Sequence, residues 1–330
     1  MRRFALIACL AALIAAGITT TNASAALIAG IGDQSAGTFT DGNFKKLKVK
    51  RTRLIVAWDA IKRADGRARL DEWMNAVKKA KLKPLVAFNP TSGSRCPASP
   101  CVIPSAKAYK SAFKAFRKRY SFVREFNFWN ETNSATQPTG PTRASVLKKT
   151  VALYKAARSV CGRKCRVSGP DLLDQGVGDK RKSVRVRNQK RMKKWIGLFL
   201  KYAGRSGYPK LWGIHNYGDT NYGRSTGTAF MLKSIAKRGE VWVTETGGIY
   251  AFRLQSGKVT FKASASRQAR ATKNAYNLAK KFNRRIKRLY YYQWRKNNAD
   301  DFFDAGIVAF NNVPRPAYTV LRKLPKSIWR

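Results

Sequence analysis

Two of the five glutamates in the chain stand at the ends of short apolar runs, and their type and spacing suit chemistry. Glu131 lies in residues 123–133 (VREFNFWNETN), and Glu245 lies in residues 240–248 (EVWVTETGG). The aromatic and β-branched residues before each glutamate favour a strand. Two carboxylates held together can supply a nucleophile and a general acid/base. The alternative is that each glutamate caps the helix that follows, and the pattern alone leaves both interpretations open.

The segments that would position these glutamates alternate between strand and helix patterns. Strands are predicted over 26–32, 52–58, 84–88, 123–133, 166–169, 211–214, 241–244 and 289–294. Helices are predicted near 44–47 and over 70–81, 106–120, 141–160, 188–203, 226–237, 263–282 and 317–324. Such alternation indicates an α/β fold, and eight units fit a single-domain (β/α)8 TIM barrel.

Two other features bear on the architecture. A doubly wound sheet is the alternative, but it favours a glycine-rich phosphate loop after the first strand, and GIGDQSAG is only a loose match. Residues 249–261 alternate around Ser256-Gly257, which predicts a hairpin after the seventh strand.

Most of the predicted strands end in polar or aromatic side chains. The carboxyl ends of barrel strands carry functional residues, so these side chains would surround one mouth. They are Trp58, Asp59, Asn89, Asn130, Glu131, Asp171, His215, Tyr217, Glu245, Gln293 and Trp294. Capping could explain Asn89 and Asp171, and packing could explain Trp294. As a set they suit carbohydrate, because aromatic faces cover sugar rings and two carboxylates can cleave a glycosidic bond.

The strand ends resemble those of glycoside hydrolase clan A in their order along the chain. Residues 129–133 (WNETN) are similar to the WNEPN-type motif of the clan's fourth strand, and residues 242–245 (WVTE) resemble its strand-seven nucleophile motif. Residues 215–217 (HNY) resemble its strand-six segment, and Trp294 resembles its strand-eight tryptophan. The resemblance spans nearly all of the chain after residue 25, with a family 39-like or related endo-acting group as the nearest subfamily.

The resemblance implies a role for each matched residue in a retaining β-glycosidase. Glu131 would be the acid/base and Glu245 the nucleophile, with carboxyl groups about 5–5.5 Å apart. Asn130 would bind the 2-hydroxyl of the sugar, and Tyr217 would orient Glu245. His215 would line the same site, and Trp294 would form the platform beneath the sugar. The strand ends add four further substrate-binding candidates, Trp58, Asp59, Asn89 and Asp171.

Two positions depart from the clan's pattern. Thr132 stands where proline is common, which changes the turn after Glu131 but removes no catalytic group. The arginine that many members carry near the nucleophile has no clear counterpart, because Arg53 is expected to lie too early in its strand. The geometry of the second strand and the subfamily therefore stay open.

The start of the chain has the pattern of a secretory signal peptide. Arg2 and Arg3 precede an apolar run over 4–18 and a small-residue site at 23–25, so cleavage is predicted near Ala25. Residues 26–330 would then be the catalytic domain. A membrane anchor is the weaker alternative, since the run is shorter than the roughly 20 residues that span a bilayer.

The cysteines fit an exported protein. Two close pairs predict the disulfides Cys96–Cys101 and Cys161–Cys165. A four-cysteine zinc site is the alternative, but spacings of this kind are poor for zinc.

The net charge of +50 falls to +48 without residues 1–25, which carry two arginines and no acids. Such a surface attracts polyanions: acidic polysaccharide, anionic cell envelope or, non-specifically, nucleic acid. The cations are spread along the chain, which favours a surface adapted as a whole, for instance to an acidic medium, over a specific nucleic-acid site.

The predicted function is a secreted, monomeric, retaining β-glycoside hydrolase that acts on a poly- or oligosaccharide without a cofactor, a metal ion or a membrane span. The alternative is a catalytically weak barrel that binds cell-envelope or acidic polysaccharide. A nucleic-acid binder is a third hypothesis, supported only by charge.

Overall fold

The computed structural model describes residues 27–91, 96, 101–235, 239–254 and 256–330. The predicted signal peptide, residues 1–25, and the first residue of the predicted strand 26–32 lie outside these ranges. Within them, no helix has both the length and the apolar character that crossing a bilayer would need.

The described chain contains twelve strands. They are β1 (Ile28–Gly32), β2 (Arg51–Ala57), β3 (Lys83–Asn89), β4 (Glu125–Asn127), β5 (Arg166–Ser168), β6 (Asp171–Leu173), β7 (Leu211–His215), β8 (Glu240–Thr246), β9 (Ala251–Arg253), β10 (Val259–Phe261), β11 (Ile286–Tyr292) and β12 (Phe303–Asp304). Nine of them form one parallel sheet in the order β5-β4-β3-β2-β1-β11-β8-β7-β6. The edge strands β5 and β6 are consecutive in the chain and occupy the predicted fifth strand position, so the sheet curls into a nearly closed barrel. The (β/α)8 prediction is confirmed.

Contacts between strands that are not neighbours in the sheet run across the interior of this barrel. Arg51 of β2 and Arg288 of β11 both bind Glu125 of β4. Three strands separate β11 from β4 in the sheet, so the Arg288–Glu125 contact spans the interior. The guanidinium of Arg288 also lies 3.7 Å from the centre of the Trp242 ring. Charged side chains therefore occupy the barrel axis.

Helices surround the sheet and bury their apolar faces against it. They are α1 (Gly42–Lys46), α2 (Ala64–Lys79), α3 (Ala106–Arg119), α4 (Ala144–Cys161), α5 (Lys182–Ala203), α6 (Tyr217–Tyr222), α7 (Thr226–Ser234), α8 (Ala265–Lys281) and α9 (Pro316–Arg322). In α2 the buried residues Leu70, Trp73, Met74 and Val77 follow the helical spacing that predicted this element. The apolar core thus lies between the strands and the helices.

A second, three-stranded antiparallel sheet has the order β10-β9-β12. β9 pairs with β10, which confirms the hairpin predicted for residues 249–261. β12 pairs with the other edge of β9 and was not predicted, because Phe303–Asp304 is only two residues long. The sheet follows β8 and lies beside the carboxyl ends of the barrel strands.

Both predicted disulfides, Cys96–Cys101 and Cys161–Cys165, are present. The second joins the end of α4 to the residue before β5. With their sulfurs bonded in pairs, the four cysteines are not zinc ligands.

Candidate active site

Glu131 lies on a turn that leaves β4 at the carboxyl end of the barrel. Its φ of 45° is in the left-handed region, which costs energy for a residue with a side chain. Hydrogen bonds on both sides hold this conformation: the Asn130 N–H donates to the Phe88 carbonyl at 2.7 Å, and the Thr132 N–H donates to the Asp171 carbonyl at 2.8 Å. The turn is thus fastened to β3 and to β6.

Thr132 is one departure from the clan's pattern, in which proline is common at this position. Besides its N–H, its hydroxyl donates to the same Asp171 carbonyl at 3.1 Å. Proline has neither donor, so threonine adds two hydrogen bonds that tie the turn to β6.

Glu245 faces the interior because the ladder of β8 shifts register beside it. Ile214 of β7 pairs with Val243, but the next residue, His215, pairs with Glu245. The ladder between β8 and β11 also shifts at this level. Such an irregularity re-aims the side chains next to it. Thr244 and Glu245 consequently both reach the interior, where the Thr244 hydroxyl donates to Asp171 and the Glu245 carboxylate accepts from Arg53.

The structure brings the two glutamates together. One oxygen of Glu131, one oxygen of Glu245 and a ring nitrogen of His215 all lie within 4.8 Å of one another. The Glu131 side chain keeps 19% of its surface exposed and that of Glu245 keeps 8%. Two carboxylates therefore lie close together, and each keeps part of its surface exposed.

Arg53 is the arginine that sequence reasoning set aside, and that expectation was wrong. Its guanidinium donates to Glu245 at 2.5 Å, to Asn130 at 2.8 Å and to Asp171 at 3.0 Å. Arg53 does lie in the first half of β2, but its side chain points into the barrel. Its long aliphatic stem brings the guanidinium along the barrel axis to Glu245. Burial alone would lower the pKa of Arg53, whereas the charges of Glu245 and Asp171 raise it.

Asp171 and His215 lie beneath the glutamates and are fully buried. His215 contacts Glu131 through Nδ1 and Asp171 through Nε2, both at 3.1 Å. Burial alone would lower the pKa of His215, but the charges of Asp171 and Glu245 outweigh burial and raise that pKa to about 10. Burial acts to raise the pKa of Asp171, and His215 and Arg53 nevertheless hold it below its usual value. Asp171 was predicted to bind substrate, but its carboxylate instead binds partners inside the protein.

The two contacts of the His215 ring bear on metal binding. The triad Glu131, His215 and Glu245 has the spacing of a metal site. However, both ring nitrogens of His215 already contact carboxylates, and the Arg53 guanidinium already lies against Glu245. The donor set therefore suits an internal ion-pair network better than a metal centre.

Tyrosines and a phenylalanine form one wall of the opening. The Tyr217 hydroxyl donates to Glu245 at 3.1 Å, as the resemblance implied. Burial, then the charge of Glu245, raise the pKa of Tyr292, which places this ring beside the same carboxylate. Phe303 of β12 packs on both, with ring centres 5.6 Å from Tyr217 and 6.2 Å from Tyr292. Tyr292 and Phe303 were not among the predicted site residues.

Trp294 does not take the predicted place beneath a sugar. Its side chain is fully buried, between Phe44 at 5.3 Å and Tyr318 at 6.0 Å, and its indole N–H points to Asp41. The prediction extended the eighth strand over 289–294, whereas β11 ends at Tyr292. An enclosed ring offers no face to a ligand, so Tyr292 is the aromatic residue of this strand that faces the opening.

Three other candidates lie at the carboxyl ends of β2 and β3. The Trp58 N–H donates to the Asn89 carbonyl at 2.9 Å, and Asp59 accepts from Thr91 at 3.2 Å. Asp59 also faces Arg63 at 3.8 Å. Among the described residues, no hydrogen bond or salt bridge joins these three side chains to Glu131 or Glu245.

Asp174, just beyond β6, is a further buried acid that sequence reasoning missed. It accepts from the Gly218 N–H at 2.7 Å. Burial, with the neighbouring charges of Asp219 and Glu131, raises the pKa of Asp174 to about 7 despite that hydrogen bond. No pattern in residues 171–187 distinguished it from other loop aspartates.

Comparison with known proteins places the fold. No protein-family model matches the chain, and no curated protein matches it in sequence. Solved structures do match. A β-glucosidase from Thermotoga maritima has a TM-score of 0.58 at 10% identity, over 92% of this chain and 98% of that one. An endo-1,4-β-xylanase from Caldicellulosiruptor owensensis has a TM-score of 0.57 at 12% identity, over 90% and 97%.

A third structure, of a β-glycosidase, has a TM-score of 0.61 at 10% identity and covers 88% of this chain and 86% of its own. Identities this low establish architecture. The chain has the (β/α)8 barrel fold that these β-glycosidases and xylanases share.

Proposed function

We propose that this protein is a retaining glycoside hydrolase that cleaves β-linked O-glycosidic bonds in a poly- or oligosaccharide. The observation that carries the proposal is the approach of Glu131 and Glu245 within 4.8 Å, at the carboxyl end of the barrel. In retaining enzymes the two carboxyl groups lie about 5–5.5 Å apart, whereas inverting enzymes leave room for a water molecule. The solved β-glucosidase and xylanase structures with this fold support the same reaction class.

Glu245 is the proposed nucleophile. Arg53 donates to one of its oxygens and Tyr217 to the other, so both donors orient the carboxylate. The carboxylate attacks the anomeric carbon as the bond to the leaving oxygen breaks, and a covalent glycosyl–enzyme ester forms.

Glu131 is the proposed acid/base. In its protonated form it gives its proton to the departing oxygen, so the leaving group departs as an alcohol. As a carboxylate it then takes a proton from the water that attacks the ester, and this step releases the sugar with its original anomeric configuration. His215, which contacts Glu131 at 3.1 Å, orients this carboxyl group.

Asn130 and the aromatic wall would bind the sugar. The side-chain oxygen of Asn130 already accepts from Arg53, which leaves its amide N–H groups to donate to a hydroxyl. Tyr217, Tyr292 and Phe303 provide ring surface beside Glu245. The predicted leader and the two disulfides support action outside the cell.

A panel of aryl β-glycosides and β-linked polysaccharides tests the proposal. We expect wild-type protein to hydrolyse at least one member, with NMR of the first product showing the β anomer before mutarotation. Glu131→Ala should lose most activity on polysaccharide. Binding of polysaccharide without release of any product by wild type would overturn the proposal in favour of a non-catalytic barrel, and an initial α anomer would overturn the retaining mechanism.

A further inference from the structure

Cations gather at the amino ends of the barrel strands, on the face opposite the candidate active site. We call this the amino face and define it as residues 47–51, 81–83, 120–125, 162–166, 205–211, 239–241 and 283–288. Its segments carry fifteen lysines and arginines, of which Arg51 and Arg288 are buried, and only two acids, Glu125 and Glu240. Parallel pairing makes the face continuous: Arg51 pairs with Lys83, and Glu125 pairs with Arg166. The amino face is therefore one strongly positive surface.

Its two acids do little to balance that charge, because arginines already hold them. Glu125 binds Arg51 and Arg288, and Glu240 binds Arg166 at 2.7 Å. Within the described residues, no lysine of the face forms a salt bridge with an acid, and Lys48, Lys50, Lys81, Lys83, Lys164 and Lys210 are all exposed. The positive charges of these lysines are thus available to solvent and to binding partners.

Two adjoining clefts shape the amino face. One, of about 640 Å³, lies beside the Cys161–Cys165 disulfide and is lined by four cations, Lys155, Arg158, Arg166 and Lys210. The other, of about 390 Å³, is lined by Arg284, Arg285, Lys287 and Arg288 around Glu240. The Arg166–Glu240 salt bridge forms the boundary between them. Both clefts present cations that can bind anionic groups along a polymer.

The opposite end of the barrel has a different charge pattern. Most acids of the chain lie there, at or beyond the carboxyl ends of strands, among them Asp33, Glu131, Asp174, Asp219 and Glu245. The molecule is therefore polarised along the barrel axis. A polyanion is drawn to the amino face, and the candidate active site points away from it.

We propose that the amino face docks the protein onto an acidic polysaccharide and leaves the candidate active site open on the far side. Lysines on flexible stems suit carboxylates or sulfates spread along a sugar chain. Among the described residues, Tyr208 is the only large hydrophobic side chain exposed on this face, at 40%, so it lacks the series of stacking rings used for single-stranded nucleic acid. The choice of a polysaccharide as the partner rests on the proposed function. The binding measurement itself can be interpreted whether or not the protein is a hydrolase.

Polygalacturonate, a polymer of carboxylated sugars, is the probe, and dextran is the uncharged control. The full chain is titrated at several salt concentrations, alongside a variant with Lys50→Gln, Lys83→Gln, Lys164→Gln and Lys210→Gln. We expect this variant to bind polygalacturonate at least ~10-fold more weakly, with a shallower salt dependence because fewer counterions are released. Neither protein should bind dextran through this face.

The matched control removes the same charge from the outer wall, with Lys107→Gln, Lys114→Gln, Lys149→Gln and Lys273→Gln, all of them exposed. It should lose less than ~3-fold in affinity, because the outer wall lies outside the amino face. Equal losses in the two variants would overturn the proposal, since net charge alone would then explain binding. Unchanged binding in the amino-face variant would also overturn it, as would tighter binding of duplex DNA than of polygalacturonate. Loss of polygalacturonate binding with hydrolysis intact would leave the proposed reaction unaffected. Binding through the amino face without any hydrolysis would overturn the proposed reaction but not the docking.

Discussion

Replacing Arg53 by methionine is the sharpest test of the ionic network. Methionine has a similar length but no charge, so Glu245 and Asp171 would stay buried without their shared cation. Removing one partner of a buried ion pair costs about 3–5 kcal/mol. Because His215 would still face Asp171, we expect the lower half of that range, about 3–4 kcal/mol of unfolding free energy. At about 2 °C per kcal/mol for a domain of this size, the melting temperature should fall by ~6–8 °C.

Urea denaturation followed by circular dichroism measures the effect, first at pH 7 and then at lower pH. The folded-state pKa of Asp171 is lowered, so its contribution to stability is present at neutral pH and is lost as pH falls through that lowered pKa. Arg53 is one cause of the lowering, so the variant has less of this contribution to lose. The gap between wild type and Arg53→Met should therefore narrow as the solution is acidified.

Arg69→Met is the matched control, because Arg69 forms an exposed ion pair with Asp65. Solvent and salt screen exposed pairs, so this variant should unfold almost like wild type. Hydrolysis by Arg53→Met should fall at least ~100-fold, since one of the two donors to the proposed nucleophile is gone. A cost below about 1 kcal/mol for Arg53→Met, or a gap that widens on acidification, would refute the network as described.

Four further outcomes follow from the site. Glu245→Gln should abolish nearly all hydrolysis in a folded barrel, and full activity there would remove the nucleophile assignment. Glu131→Ala should retain far more activity on dinitrophenyl glycosides than on polysaccharide, because a good leaving group needs no proton; equal losses would contradict the acid role. Wild-type stability should fall as pH rises from about 6.5 to about 10, since the raised pKa of His215 makes its charge stabilising below that window, and His215→Gln should flatten the decline. Tyr292→Ala should raise KM on oligosaccharides more than Trp294→Phe does; the reverse order would restore Trp294 as the sugar platform.

Much of the fold was predictable because the barrel repeats one local pattern. Each strand is a short apolar run and each long helix has one apolar face, and both periods are visible in the residues. The positions of Glu131 and Glu245 followed from the same pattern, since polar residues directly after an apolar strand lie at its carboxyl end.

The parts that were missed depend on geometry across the barrel. Arg53 sits in mid-strand by sequence, and only its inward direction and long stem bring it to Glu245. The register shift that turns Glu245 inward has no local signal, because it is a relation between neighbouring strands. Trp294 was misassigned because the eighth strand ends two residues earlier than its aromatic run indicates. Phe303 reaches the site through a two-residue strand, too short for any periodicity.

The charged axis limits how this barrel can be redesigned. Side chains from β2, β4, β6, β7, β8 and β11 share partners there, so no strand can exchange its inward-facing charge without leaving another strand's charge uncompensated. Substitutions along the axis must then be made as sets, whereas the helix surfaces tolerate changes one at a time. A library that varies the helices while holding the axial residues constant should yield many more folded members than one that does the opposite.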